Sequence, residues 1–299
     1  MGTSVSKSLG RNMGWFVLSR LLSSLKGNTP LATHRRRAEA LGRLGLHLMR
    51  SRSKVMVSNL ASVFPDLDPE ERNRILRESV NNICRGFVDL FYYVHHQDVL
   101  PDQVVLEDNG VLDGLLERKC GCIVATGHVG LFPVLGIPMV RRGLQYAPVA
   151  RDPRDPRLKK VFNDSRTLLG YTNIPDHPPM TVLKRSLQVL RSGGVVNITF
   201  DMRPRDGAVD VEFLGRRTPM YSAVVRIAAT TGLPIVPGYV IRDRGMHRVT
   251  YFPPINVPKE AMKDTSPAAR KILQLLAAWL SDAVRAHPDQ YWWVHRRWR

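Results

Sequence analysis

A chain of 299 residues with 44 Lys and Arg against 26 Asp and Glu carries a formal charge of +18, which calls for an acidic partner or surface: nucleic acid, anionic lipid or an acidic carrier protein. Three cysteines, Cys84, Cys120 and Cys122, exclude a disulfide framework and a zinc pattern and read as reduced residues. No stretch approaches the roughly 18 consecutive apolar residues of a membrane span, and no repeat or long linker divides the chain.

The positive charge is concentrated early. Residues 1–60 hold eleven Lys and Arg against one acid, Glu39. Within residues 1–30, Trp15, Phe16, Leu18, Leu21, Leu22 and Leu25 recur at helical spacing among Lys7, Arg11, Arg20 and Lys26. That pattern predicts a basic amphipathic helix lying at a membrane interface, with an ordinary packing helix as the competing reading. Residues 31–299 read as a single domain.

Residues 31–62 read as one helix, with Leu41, Leu44 and Leu48 on one face. Asp68-Pro69-Glu70-Glu71 marks the start of the next, which runs to about Val94. Strands are predicted over 104–107, 122–126, 147–150, 195–200, 209–213, 235–241 and 247–252. Helices are predicted over 111–119, 158–169, 181–192, 222–231 and 267–286. Such alternation predicts an α/β fold, with a mainly parallel or mixed sheet flanked by helices.

The stretch Cys122-Ile-Val-Ala-Thr-Gly-His128-Val-Gly130-Leu-Phe-Pro133 carries the clearest chemistry. It reads as an apolar strand, a turn at Gly127 and then the start of a helix. The carboxyl end of a strand is where α/β proteins build sites. An imidazole there can act as a base near neutral pH, provided a carboxylate fixes its tautomer. Five residues on, Pro133 stands where that carboxylate is expected, and it fits the first turn of a helix. Asp201, at the end of strand 195–200, is the first substitute; Asp152 and Asp89 follow. Backbone N–H groups from Val129 to Leu131 at the helix start read as donors to an oxyanion, which places Gly130 among the substrate-binding residues. The spacing Gly127-His-Val-Gly130 lacks the pattern of a dinucleotide loop.

Arg151, Arg154, Arg157, Lys159, Lys160 and Arg166 form a second basic cluster. Arg151, Arg154 and Arg166 are the candidates for binding a phosphorylated substrate. At the C-terminus, Trp292 and Trp293 read as aromatics that close the core.

Taken in order, several segments resemble the bacterial lipid A biosynthesis acyltransferase family, a branch of the lysophospholipid-acyltransferase-like proteins. They are Asn59-Leu60 with Phe64-Pro65 and Glu70-Glu71-Arg72, the strand before His128, and Arg151-Asp-Pro-Arg154-Asp-Pro-Arg157 with Arg166 and Gly170. Gly194 to Asp201 with Gly207 to Gly215, and Pro288-Asp289-Gln290-Tyr291-Trp292-Trp293-Val-His295-Arg296-Arg297, complete the set. The resemblance covers roughly 35–299. It implies a glycerolipid-acyltransferase-like fold with His128 as general base; the family's acid is missing here, so either a substitute, Asp201 first, serves His128 or the protein is an impaired member that binds lipid or partner enzymes without turnover. It further implies transfer of an acyl chain from acyl carrier protein or acyl-CoA to a glycolipid acceptor such as a lipid A precursor. No metal or other cofactor and no nucleic acid partner is expected. The implied location is peripheral or monotopic, at an anionic membrane surface on the cytoplasmic face of the inner membrane. In this chain the family's His-x4-acid pattern ends in Pro133, and Asp201 is followed by Met202 rather than Gln.

Overall fold

The computed structural model describes residues 15, 18–48, 50–107, 109–118, 120–204 and 208–298, without side-chain detail over 44–51. Ten helices and nine strands are labelled here in chain order. α1 (Leu31–Leu48) and α2 (Arg50–Val63) cover the predicted helix on either side of residue 49, which lies outside the described residues, and α3 (Pro69–His95) follows. Next come α4 (Leu100–Gln103), β1 (Val104–Glu107), α5 (Val111–Arg118) and β2 (Cys122–Thr126). α6 (Ile137–Arg141), β3 (Tyr146–Ala150), α7 (Pro156–Leu168), β4 (Ile174–Pro175), α8 (Pro179–Arg191) and β5 (Val195–Thr199) build the middle. The last part holds β6 (Ala208–Phe213), β7 (Arg216–Tyr221), α9 (Ala223–Thr231), β8 (Ile235–Asp243), β9 (Met246–Tyr251) and α10 (Pro267–Ala286).

Seven strands form a sheet in the order β1-β9-β8-β2-β5-β3-β4. Every pairing is parallel except the β8–β9 hairpin. β2 sits at the centre and is fully buried; Ile123 and Ala125 join the apolar core on one face, Cys122 and Val124 the core on the other. Burial on both faces explains why β2 reads as a continuous apolar run rather than an alternating one. The sheet is therefore mixed, mainly parallel and covered by helices, as the alternation of elements predicts.

Local chemistry fixes the helices. Ser266 caps α10 by accepting from the Ala269 N–H at 3.0 Å, and Pro267 occupies its first turn. Leu273, Leu276, Leu280 and Val284 then fall on one buried face. α9 ends at Gly232, whose φ of 69° is the left-handed conformation that stops a helix.

Two expectations are corrected. No helix begins directly after Gly127. The chain bends, bridges to the C-terminal segment at Val129, and passes through a 3₁₀ turn over Phe132–Val134, with Pro133 in its first positions, before the short α6. Pro133 and Pro138 leave too few backbone donors for a longer helix. β6 does not join the main sheet either. It pairs with β7, unforeseen from sequence, as a separate antiparallel hairpin. Leu214 and Gly215, with φ of 53° and 76°, form the tight turn between them.

Of the N-terminal segment, residues 18–24 are helical. Leu25 is buried, Leu22 packs against the same core, and Trp15 lies beneath the Arg157 guanidinium at 4.8 Å. The rest of residues 1–17 lies outside the described residues. Among those described, no helix is long and apolar enough to cross a membrane.

Candidate active site

β2 and β5 run side by side in register, Thr126 opposite Thr199. His128 and Asp201 each lie two residues beyond those ends. Equal offsets on paired parallel strands bring the two side chains together, and the His128 Nδ1 lies 2.6 Å from Asp201 Oδ1. The backbone N–H of His128 also donates to Asp201 Oδ2 at 3.1 Å. A carboxylate can only accept, so the proton on the imidazole sits on Nδ1 and Nε2 is the basic nitrogen.

The remaining bonds to Asp201 come from the C-terminal segment. Tyr291 donates its hydroxyl to Oδ2 at 2.9 Å, and the Arg297 guanidinium donates to Oδ2 at 2.7 Å and to the Asp201 carbonyl at 3.1 Å. Thus three donors hold Oδ2 while Oδ1 serves His128. The segment is fastened to the rest of the fold. Asn59 donates to the carbonyls of Trp293 and His295 at 2.8 and 2.7 Å, Ser79 to that of Tyr291 at 2.8 Å, and the Trp292 N–H to that of His128 at 3.0 Å.

His128 opens onto a cavity of about 690 Å³ at the carboxyl ends of β2, β5 and β3. This is the crevice where the chain leaves neighbouring strands in opposite directions. Its inner wall is apolar: Phe87, Leu90, Phe132, Phe162, Tyr146 and Tyr171 contribute, and Pro133 lies in the same wall. Its polar residues include Arg151, Arg166, Asp176 and Arg226. Trp292, read from sequence as a core residue, instead lines the cavity with its ring 5.7 Å from that of His128. Trp293 does close the core.

Other sequence candidates separate clearly. Arg151 lines the cavity and pairs with Asp176 at 2.7 Å. Arg166 lines it too, held by Asp152 at 3.0 Å and Asn163 at 2.9 Å. Arg154 is exposed and contributes nothing to the cavity wall. Gly130 is also absent from that wall. Its N–H donates to the Gln290 carbonyl at 2.8 Å, so it is not free to hold an oxyanion as expected. Its glycine identity has a packing cause: φ is 55°, and a Cβ would stand 1.8 Å from the Val240 carbonyl oxygen. Asp89 belongs to a different buried cluster, bonded to Arg35 at 2.6 Å, His247 at 2.8 Å and Arg242 at 3.2 Å, where it ties α1 and α3 to the sheet.

The profile of the bacterial lipid A biosynthesis acyltransferase family matches residues 6–299. The chain belongs to that family. It is similar to the phosphatidylinositol mannoside acyltransferase of Mycobacterium tuberculosis (strain ATCC 25618 / H37Rv), 27% identical over 192 residues, which is 62% of this chain and 57% of the relative. The match thus spans little more than half the length of that relative. It is also similar to the lipid A biosynthesis lauroyltransferase of Escherichia coli K12, 21% identical over 267 residues, covering 87% of this chain and 83% of the relative.

In this family member burial and neighbouring charges together set the electrostatics around His128. Burial opposes the charge on Asp201, yet His128, Arg297 and the hydrogen bonds from His128 outweigh it and hold the carboxyl well below its usual range. Burial and the Asp201 charge keep the Tyr291 hydroxyl protonated, so it remains a donor. Burial first, then the charges of Arg297 and His128, lower the imidazole of His295 to about 3. His295 is therefore a neutral ring, 4.8 Å from that of His128. Tyr291, His295 and Arg297 lay inside the resembling C-terminal motif, but nothing in sequence alone linked them to Asp201.

Proposed function

We propose that this protein transfers a fatty acyl chain from a thioester, on acyl carrier protein or coenzyme A, to a hydroxyl of a membrane glycolipid. His128 acts as general base and Asp201 as the carboxylate that orients it. The observation that carries the reading is the 2.6 Å contact between His128 Nδ1 and Asp201 Oδ1 at the wall of a large apolar cavity. His128 Nε2 takes the hydroxyl proton as the acceptor oxygen attacks the thioester carbonyl carbon. The C–O bond forms, the C–S bond breaks, and the imidazolium returns the proton to the departing thiolate. Asp201 stays ionised throughout, held by Arg297.

The apolar wall suits the acyl chain, each buried methylene contributing about 0.8 kcal/mol. Arg151 and Arg166 suit a phosphate of the donor or acceptor. The basic excess fits both an acidic carrier and the anionic cytoplasmic leaflet of the inner membrane, where we place the protein as a peripheral or monotopic component. The names of the relatives support a glycolipid acceptor, a mannoside lipid or a lipid A precursor.

The test is to incubate the protein and its His128→Ala variant with acyl carrier protein thioester and a pooled lipid extract, and to follow acylated lipids by mass spectrometry. A product lost with His128→Ala supports the reading, and its mass names the acceptor. Lipid binding by folded protein with no product would instead favour a family member that binds without turnover.

A further inference from the structure

We infer that the acyl chain taken by this site carries a hydroxyl part-way along its length. The inference rests on the acyl-transfer reading and deepens it by naming the donor's chain. The cavity wall holds consecutive residues of two strands: Pro148, Val149 and Ala150 of β3, and Asn197, Ile198 and Thr199 of β5. Successive side chains on a strand point to opposite faces, so the cavity reaches over both faces of the sheet. Val149 and Ile198 share an apolar core with Val182 of α8 and Val224 of α9. Leu90, Tyr146, Leu169 and Tyr171 belong to the core on the other face. Val195 belongs there too, which places Asn197 and Thr199 on that second side.

The two sides differ in character. Tyr221 stands with Ile198, and Arg226 and Asp176 act on it electrostatically, so that side suits a polar part of a substrate. The Asn197 side is walled by Leu90, Phe162, Leu169, Tyr146 and Tyr171 and suits a chain.

β5 breaks that apolar wall. Its other face carries Val196, Ile198 and the following Phe200, all buried in the core, whereas the face towards the chain carries Asn197 and Thr199. Asn197 is only 5% exposed, so bulk solvent does not account for it. Its amide makes one long bond, Nδ2 to the Val124 carbonyl at 3.4 Å, and its Oδ1 accepts none among the described residues. An amide with unused donors and acceptors in an apolar wall is destabilising unless a ligand satisfies it. A hydroxyl is donor and acceptor at once and satisfies both ends of the amide. A plain methylene chain would instead seal the amide away from water unpaired.

The register sets where that hydroxyl falls. At about 3.3 Å per residue, Thr199 lies roughly 7 Å and Asn197 roughly 13 Å before Asp201 along β5. A zigzag chain with bonds of about 1.5 Å advances about 1.25 Å per carbon. With the thioester carbonyl beside His128, the two polar residues meet about the sixth to the tenth carbon.

The probes are dodecyl thioethers of coenzyme A, which cannot be cleaved, with a hydroxyl on the third, the eighth or the terminal carbon, or with none. Calorimetric titration of the full chain should show the eighth-carbon alcohol binding roughly tenfold tighter than the plain chain. Asn197→Leu should reverse that order, and Thr199→Val should reduce it. The preference of the unaltered protein is read without any variant, and thermal unfolding shows whether each variant is folded. Plain and hydroxylated chains binding equally would mean that ordered water already satisfies Asn197, and would overturn the inference. A preference for the third or terminal position, or one that survives both substitutions, would overturn it too. A turnover arm offers plain and eighth-carbon hydroxylated dodecanoyl-CoA with the pooled lipid extract. Transfer of both chains at equal rates with no binding preference sinks the inference and leaves acyl transfer standing. A binding preference lost in Asn197→Leu, with no transfer of either chain, does the reverse.

Discussion

Thr126 and Thr199 stand opposite one another at the paired ends of β2 and β5, and two residues further on the same strands deliver His128 and Asp201 to within 2.6 Å. The carboxylate that orients the imidazole thus comes from a neighbouring strand. The position five residues after His128 is left to Pro133, which is part of the cavity wall.

This arrangement predicts opposite outcomes for two substitutions. Asp201→Asn keeps the shape but can donate to Nδ1 and favour the wrong tautomer. The acyl-transfer rate should fall on the order of 10²–10⁴-fold, the usual contribution of an oriented base. Pro133→Glu, which restores the acid of the family pattern, should gain less than about twofold, since Nδ1 is already engaged. Initial rates with a thioester donor decide both. A large gain from Pro133→Glu would mean that Asp201 does not serve His128.

Tyr291 and Arg297 bond to Asp201 and do not line the cavity, so substitutions there test a positioning role. Tyr291→Phe removes one donor to Oδ2 and leaves the ring in place. A bond to a charged group contributes about 1.5–3 kcal/mol, so kcat/KM should drop roughly tenfold or more. With one stabilising donor gone, the carboxyl of Asp201 is less depressed, and the acidic limb of the pH profile should move to higher pH. Arg297→Lys keeps the charge but loses the guanidinium's three-point reach to Asp201 Oδ2 and to the Asp201 and Trp292 carbonyls. It should lower kcat while moving the acidic limb less than Arg297→Gln does. Identical pH profiles in all three variants would reduce these residues to a purely structural role.

Tyr146 and Gly136 bear on acyl-chain length. Tyr146 begins β3 and lines the cavity, and a Cβ on Gly136 would stand 2.4 Å from its ring. Gly136→Ala should therefore push the ring into the cavity and shorten the preferred chain. Each methylene excluded costs about 0.8 kcal/mol, or nearly fourfold in kcat/KM for the longer donor. A series of acyl thioesters of increasing length measures the shift. An unchanged length optimum would place the end of the chain elsewhere.

Much of this was legible in the sequence. Apolar runs and helix caps are local signals, so β2, α3, α9 and α10 emerge close to their true bounds. Asp201 was legible because a strand end is a position that topology can bring to a site. Trp292 was misread because its neighbour Trp293 does belong in the core. In an extended segment adjacent side chains point to opposite sides, and nothing in sequence says which side is the cavity. Gly130 was misread because its N–H partner, Gln290, lies 160 residues away, beyond any local pattern. The β6–β7 hairpin was half seen, since β7 carries Arg216, Arg217 and Pro219, which give little strand signal.

His295 predicts a pH dependence of stability that is separate from catalysis. Its imidazole is lowered from 6.5 to about 3 in the folded protein, by burial first and by the Arg297 and His128 charges next. Between those values the unfolded chain binds a proton that the folded protein does not. The neutral ring's contribution is therefore fully present above about pH 6.5 and is lost progressively as pH falls towards 3. Asp201, also held below its ordinary value, adds a loss of the same sign, but only as pH falls below the usual carboxylate range. The window from pH 6.5 down to 4.5 therefore leaves Asp201 out, and His34, His95 and His247, also lowered by burial first, contribute equally to the unaltered protein and a His295 variant. Denaturant unfolding there should show the unaltered protein losing up to about 2 kcal/mol more than His295→Asn, at roughly 1.4 kcal/mol per pH unit for one proton. Parallel curves for the two proteins would mean that His295 takes up its proton without disturbing the fold, and that its ring is not held neutral beside His128.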